Sequence, residues 1–412
     1  MSDYILAKQN GRKIPLEDKI FGISNRAKNM IAEKGPGQVI NATIGSLLDD
    51  DGNLVVLSSV AEAVKELEPV DFADYAPIGG IPQFREAVKK AAFGSFQPKR
   101  FTEAVSTPGG TGAIRNAIAN YSEPGDKILT SDWHWAPYNT IAGEMGRTID
   151  TYRMFDEQGR FNGAAFAEKV EELSEAQGSL VIILNTPAHN PTGYSLTLED
   201  WDRVMDSIKS AAVKAESIVL LVDVAYIDFA GDEEEYRRFL PRLEAVPENV
   251  LPIIAYSLSK TYTLYGTRCG AMICMAQTEA IAAEFKRVCE FSSRGSWSNS
   301  AKLAQVILSK IYGDPELLKK VDQERAGYRE MLIKRGRAFE EEAKKADLEI
   351  VPFDAGFFVS IPCDRPDEVS KQLENQGLFI VPLAKGLRVS IASVSEAACR
   401  KIPGMVKAAM EK

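Results

Sequence analysis

Val250-Leu251-Pro252-Ile253-Ile254-Ala255-Tyr256-Ser257-Leu258-Ser259-Lys260 is an apolar run that ends in two serines and a lysine. Near-continuous apolar runs of this kind suit strands buried on both faces of a largely parallel sheet. A lysine straight after such a run is out of place. A buried ammonium is costly unless it is neutralised, paired or used covalently. The plain alternative is a strand-end lysine whose stem lies on apolar surface while its amine reaches water. Arg268 follows eight residues on, with Gly270 behind it. Two hydroxyls and an arginine can bind the phosphate of a small cofactor, and the lysine can hold its aldehyde as a Schiff base.

Similar runs recur at residues 128–130, 180–184 and 218–222, and helical patterns lie between them. Thr197 and Asp200 form a capping box ahead of an apolar face made by Trp201, Val204, Met205 and Ile208. Asp314-Pro315 supplies a cap and first-turn proline for a helix that runs toward Lys345, long enough to bridge two domains. Beyond it, residues 348–361, 378–382 and 387–391 read as short strands joined by charged segments. The expected fold class is α/β. Residues 55–312 form a large domain, and residues 1–54 and 313–412 form a smaller α/β domain built from both termini.

Composition narrows the function. The chain has 412 residues, 45% apolar and 26% charged, which is ordinary for a globular protein with sizeable cores. Its net charge of −9 argues against a nucleic-acid partner. No apolar run approaches the ~20 residues of a membrane span, and residues 1–16 carry no apolar signal-peptide core. Five irregularly spaced cysteines point to reduced thiols in the cytoplasm. Two histidines, His134 and His189, are too few for a multi-histidine metal site, so no metal is expected.

In doubly wound sheets ligands sit at the carboxyl ends of strands. One run ends in Asn185-Thr186-Pro187-Ala188-His189-Asn190-Pro191-Thr192-Gly193, another in Asp223-Val224-Ala225-Tyr226, and the third in Ser257 to Lys260. That set fits an aldehyde on a pyridine ring. Lys260 supplies the amine, and Asp223 an anion against the ring nitrogen. Tyr226 and Asn190 can donate to a phenolate oxygen. Ser106-Thr107-Pro108-Gly109-Gly110-Thr111-Gly112-Ala113-Ile114-Arg115 reads as a glycine-rich turn opening a helix, where backbone N–H groups, Gly110 and Thr111 among them, favour phosphate. Ser257, Ser259 and Arg268 complete the cradle.

Taken together, these motifs resemble the fold-type I pyridoxal-phosphate enzymes of the class I aminotransferases, and more narrowly the aspartate and aromatic amino-acid subgroup. The matching residues run from Ile40 to Ala392. They include Tyr75-Ala76-Pro77-Ile78-Gly79-Gly80, Asn190-Pro191-Thr192-Gly193, Asp223-x-x-Tyr226, Ser257-x-Ser259-Lys260, Arg268-x-Gly270 and Arg388. The resemblance implies a three-layer sandwich around a mostly parallel sheet, with a smaller domain beside it. It implies pyridoxal 5′-phosphate as cofactor and a ping-pong exchange between an L-amino acid, aspartate or aromatic, and a 2-oxo acid such as 2-oxoglutarate.

By the same resemblance, Trp135 stacks on the cofactor ring, Arg388 binds the substrate α-carboxylate, Asn190 contacts the cofactor oxygen, and the backbone near Gly45 covers the substrate. Tyr138 stands where these enzymes often carry histidine. Tyr75 and Arg294 match residues given by a second subunit of a homodimer, the first to the phosphate and the second to a distal carboxylate. Trp297 departs from the usual tyrosine. From the residues alone, Trp135 also fits a core tryptophan, Arg388 an arginine paired with a structural acid, and Arg294 a solvated surface residue.

Three other functions fit parts of the pattern. A lyase or decarboxylase could use the same cofactor. A dinucleotide-binding oxidoreductase is mimicked by Gly110-Thr111-Gly112 with Asp132 about twenty residues on, yet Arg115 occupies the third glycine position and Pro108 interrupts the strand. A non-enzymatic regulator built on this fold would need an added domain, and the arm before Val55 is too short for one.

Overall fold

The computed structural model describes residue 6 and residues 17–412. The signal-peptide reading of residues 1–16 therefore lies outside the described residues, Leu6 apart.

Seven strands form the central sheet. They are β1 (Phe101–Thr107), β2 (Lys127–Ser131), β3 (Thr148–Tyr152), β4 (Ser179–Asn185), β5 (Ser217–Asp223), β6 (Val250–Ser257) and β7 (Gly270–Ala276). Their spatial order is β1-β7-β6-β5-β4-β2-β3, and all run parallel except β7, which is antiparallel to both its neighbours. Side chains alternate between the faces of a strand. Leu180, Ile182 and Leu184 of β4 enter one apolar core, while Val181 and Ile183 enter the other. Helices cover both faces, giving three layers. Each fully buried Ile, Leu or Val stabilises this arrangement by about 1.5–3 kcal/mol.

Register then assembles the strand ends. Asn185 pairs with Asp223, and Asp223 pairs with Ala255, two residues before Ser257. Helix α1 (Gly109–Tyr121) starts two residues after β1 and aims its N-terminus at the same rim. Gly270 allows this close approach. A Cβ there would stand 2.5 Å from the Tyr256 carbonyl oxygen and 2.6 Å from the Gly109 carbonyl carbon.

Helix α2 (Leu198–Ala212) begins at the expected capping box, with Thr197 accepting from Asp200 N and the Asp200 side chain from Thr197 N. Helix α3 (Glu279–Ser296) follows β7. Helix α4 (Pro315–Lys345) has 31 residues and is capped by Asp314, as the sequence predicts. Ala338 and Phe339 near its end pack against β8 (Phe358–Pro362) and β10 (Gly386–Ser390), which form a small antiparallel sheet with β9 (Val381–Leu383) in the order β9-β10-β8.

Two expectations for this region are corrected. Residues 348–357 are not strand; the backbone instead turns through Gly356 and docks on Gly193, whose carbonyl accepts from Asp354 N and Ala355 N. The stretch 378–382 is interrupted at Ile380, so that Leu378–Phe379 pairs with Ile40–Asn41 and only β9 joins the small sheet. All five cysteines are buried and unpaired. Among the described residues no helix is long and apolar enough to cross a membrane.

Candidate active site

A cleft of about 120 Å³ opens at the carboxyl ends of β4, β5 and β6. Asp223 sits in its floor, buried, with Oδ2 accepting from the Tyr138 hydroxyl at 2.8 Å and Oδ1 from Ala225 N at 3.2 Å. Burial raises the Asp223 pKa, while Tyr138, the Ala225 N–H and the charge of Lys260 pull it back. Tyr138 is itself fully buried. Burial first, and the Asp223 charge next, push its phenol well above the ordinary range, so it stays a donor.

Lys260 lies on the one-turn helix Leu258–Thr261 that continues β6. Its amine stands 5.5 Å from the centre of the Tyr226 ring and 5.9 Å from that of Tyr265. Burial lowers its pKa to about 8, opposed by Asp223 and reinforced by Arg268 and Arg388. Roughly a tenth of this amine is therefore neutral and nucleophilic at pH 7, far more than for a free lysine. Tyr265 was not singled out from the sequence. Its hydroxyl accepts from Leu47 N at 3.0 Å, joining the lysine segment to the chain after Gly45.

The glycine-rich turn and the segment after β6 face one another. Gly110, Thr111, Ser257, Ser259 and Arg268 all line the cleft. Arg268 adopts a left-handed backbone, φ 49°, and its Nη1 donates to Ser259 Oγ at 3.2 Å and to the Tyr265 carbonyl at 2.9 Å. Gly109 has φ 66°, and a Cβ there would meet Arg268 Nη2 at 2.8 Å. A helix N-terminus, two hydroxyls and a guanidinium converge as a phosphate requires.

Arg388 comes in from β10, buried among apolar neighbours. Its Nη2 donates to the Thr43 carbonyl at 2.7 Å and its Nη1 to Asn190 Oδ1 at 3.3 Å, and the guanidinium lies 4.4 Å from the Phe358 ring centre. Nε makes no hydrogen bond, and no described carboxylate lies within ion-pair distance. Among the described residues, the alternative of a structural acid partner has no candidate. Burial lowers its pKa to about 10, still charged at neutral pH. Asn190 also donates to the Tyr226 hydroxyl at 3.3 Å, so one amide connects Arg388 with Tyr226. Gly45 closes this side, where a Cβ would stand 2.6 Å from Phe358 Cζ.

Trp135 lines the cleft, edge-on to Tyr138 with ring centres 5.5 Å apart. Asn185 also lines it and was missed as a site residue; its Oδ1 receives Asn190 N at 2.6 Å and its Nδ2 donates to the Asp223 carbonyl at 2.8 Å. Its place at the end of a buried strand, directly after the apolar run 180–184, was the available signal. His189 is buried against Thr192, 2.8 Å away, and burial lowers its pKa to about 3. Two residues stay outside. Tyr75 is 82% exposed, and Arg294 is exposed on α3, donating to Ser298 Oγ at 2.6 Å. The single chain does not bring either to the cleft. Trp297 instead faces Arg115, whose guanidinium is 5.9 Å from its ring centre.

The comparisons agree with this chemistry. Residues 37–403 match the family described as aminotransferase class I and II, and the chain belongs to that family. A solved aminotransferase from Anaerococcus prevotii shares the fold at a TM-score of 0.96 and 36% identity, covering 99% of this chain and 100% of that one. The mitochondrial aspartate aminotransferase of Schizosaccharomyces pombe is 30% identical over 76% of this chain and 70% of its own. The aromatic-amino-acid aminotransferase of Paracoccus denitrificans is 26% identical over 90% of this chain and 92% of its own. The protein is a transaminase dependent on pyridoxal phosphate. Its fold is the three-layer type I architecture, and the lyase or decarboxylase alternative is not favoured. The cradle, the depressed lysine and the buried carboxylate fit that cofactor.

Proposed function

We propose that the enzyme moves the amino group of an aspartate-like or aromatic L-amino acid to a 2-oxo acid such as 2-oxoglutarate. The observation that carries the substrate side is Arg388, a buried guanidinium with no carboxylate partner among the described residues, bonded to the cleft residue Asn190 and near enough to Lys260 for its charge to lower that amine's pKa. A buried cation of this kind is stabilised by an incoming α-carboxylate.

Bound pyridoxal phosphate supplies a carbonyl for amines and a ring that accepts electrons from the substrate's α-carbon. Asp223 presents the anion that a protonated ring nitrogen needs. Tyr226 and Asn190 offer hydrogen bonds to the ring oxygen, and Trp135 its indole face. Gly110, Thr111, Ser257, Ser259 and Arg268 hold the phosphate. Arg388 and Asn190 fix the α-carboxylate, so the Cα–H bond is presented to the lysine. Lys260 Nζ, in its neutral form, takes the α-proton and then returns it as an acid. The 2-oxo product leaves before the second substrate enters, which gives ping-pong kinetics.

The working unit in this proposal is a homodimer. Tyr75 reaches the phosphate of the neighbouring site, and Arg294 the distal carboxylate of a dicarboxylic substrate. The exposure of Tyr75, Phe72 and Phe291 on the single chain supports it. The buried, unpaired cysteines support a cytoplasmic location. The separate apolar core that joins β8 and β10 to the end of α4 supports residues 55–312 as one domain, against 1–54 and 313–412 as the other. Mixing Lys260→Ala with Arg294→Ala subunits tests the shared site, because each hybrid dimer rebuilds one intact cleft and regains activity with aspartate. A steady-state screen of aspartate, glutamate, phenylalanine and tyrosine against 2-oxoglutarate tests the substrate class. Failure of all four as donors would reject it.

A further inference from the structure

Two arginines that the reaction does not use lie buried on α4, Arg325 and Arg335. They stand ten residues apart, about 15 Å along a helix.

Arg325 belongs to the lysine side. Asp228, in the turn after Tyr226, accepts from Arg237 Nη2 at 2.7 Å, from Thr261 Oγ1 at 2.8 Å and from the Tyr256 hydroxyl at 3.1 Å. Arg325 Nη1 is 3.7 Å from the same carboxylate, and its guanidinium is 5.5 Å from the centre of the Tyr262 ring. Tyr256, Thr261 and Tyr262 bracket Lys260 in the chain.

Arg335 belongs to the carboxylate side. It donates to the Leu48 carbonyl at 3.0 Å, to the Ala392 carbonyl at 3.1 Å and to Asp50 Oδ1 at 2.8 Å. Leu48 N donates in turn to the Ala392 carbonyl at 2.9 Å. One guanidinium thus ties the segment beyond Gly45 to the residues that follow β10, the strand of Arg388.

Burying charge is an inefficient way to stabilise a fold, because desolvation offsets most of the attraction and well-packed apolar groups do as well. A connected polar network does restrict a region to one arrangement. We propose that α4 is a spacer setting the separation of Lys260 and Arg388, with Arg325 and Arg335 as its positioning residues. This rests on the roles given above to Lys260 and Arg388. Arg325 governs the presentation of the amine, and Arg335 governs the presentation of the carboxylate fork.

The test compares Arg325→Met and Arg335→Met as cofactor-loaded enzymes. Misplacing a reacting group costs rate, and misplacing a binding group costs affinity. Arg325→Met is expected to lower kcat about tenfold and shift the pH midpoint of the visible absorbance band, with KM for the amino donor within about twofold. Arg335→Met is expected to raise KM about tenfold, with kcat within about twofold and the band's midpoint in place. A role confined to stability would lower both melting temperatures without this crossed pattern. Any pattern other than the crossed one overturns the proposal. If a methionine variant fails to accumulate, Thr261→Val replaces it on the lysine side and Asp50→Asn on the carboxylate side, read by the same split. Lys260→Ala and Arg388→Leu run alongside. Normal turnover in those two would reject the site reading itself, whereas their failure with no split in the arginine variants would reject only the spacer.

Discussion

Tyr138 donates its phenolic proton to Asp223 Oδ2 across 2.8 Å, beneath the floor of the cleft. Both groups are buried, and the bond favours the charged carboxylate against a burial effect that opposes it. Tyr138→Phe removes the donor and keeps the ring. More of Asp223 then takes up a proton, and the ring nitrogen loses its anion. From the ~1.5–3 kcal/mol of a hydrogen bond to a charged group, kcat should fall between roughly tenfold and a hundredfold. Steady-state kinetics check it, and an unchanged kcat would reduce Tyr138 to packing.

The depressed pKa of Lys260, about 8, sets a pH dependence. Only the neutral amine attacks a carbonyl, so cofactor uptake by the apo-enzyme should speed up as pH rises through 8 and level off above it. Arg388→Leu removes one of the positive charges that lower this pKa, so the midpoint should move up. Stability follows with its own sign. Between pH 8 and 10.5 the unfolded lysine binds more protons than the folded one, so this residue makes the apo fold more stable as pH rises across that window. Stopped-flow uptake rates and apo melting curves read the two effects.

Arg388→Leu also separates affinity from stability. Without the fork, kcat/KM for amino acids should drop about a hundredfold or more. The melting temperature should move little, within about 3 °C. Removing a buried charge without an acid partner is favourable, and leaving the Thr43 carbonyl and Asn190 Oδ1 without their donor is unfavourable. A large loss of stability would mean that the guanidinium is a structural group.

Gly270→Ala tests the junction between β7 and the glycine-rich turn. The new methyl would crowd the Tyr256 carbonyl and Gly109. Overpacking of this kind costs about 1–3 kcal/mol. Gly109 also opens the phosphate cradle, so cofactor affinity should weaken with stability. Urea unfolding and equilibrium dialysis measure the two.

Much of this was legible in the chain because burial on both faces leaves few choices. The runs around Ile182, Leu220 and Ile254 read as strands because helices cover both sides of them, and register then brought Asn185, Asp223 and Ser257 to one rim. The capping residues Thr197 and Asp314 showed where two helices start, since local chemistry decides a cap. What failed depends on distant contacts. Residues 351–357 are apolar enough for a strand, yet the N–H groups of Asp354 and Ala355 dock onto the Gly193 carbonyl instead of a neighbouring strand. Tyr265 joins the site through Leu47, more than two hundred positions earlier, and no local pattern announces that. Tyr75 and Arg294 sit on the surface of the isolated chain, so their proposed roles depend on a neighbouring subunit that local sequence patterns do not describe.

Burial pushes the thiols of Cys269, Cys274 and Cys399 up to about 12, and raises those of Cys289 and Cys363 as well. Alkylating reagents consume thiolate, so the natural sulfurs should stay silent toward maleimides in the folded enzyme. One cysteine introduced at Val213, which is 85% exposed after α2, would then carry a fluorophore alone. The protein can be dye-tagged at a chosen point without first being stripped of its own cysteines.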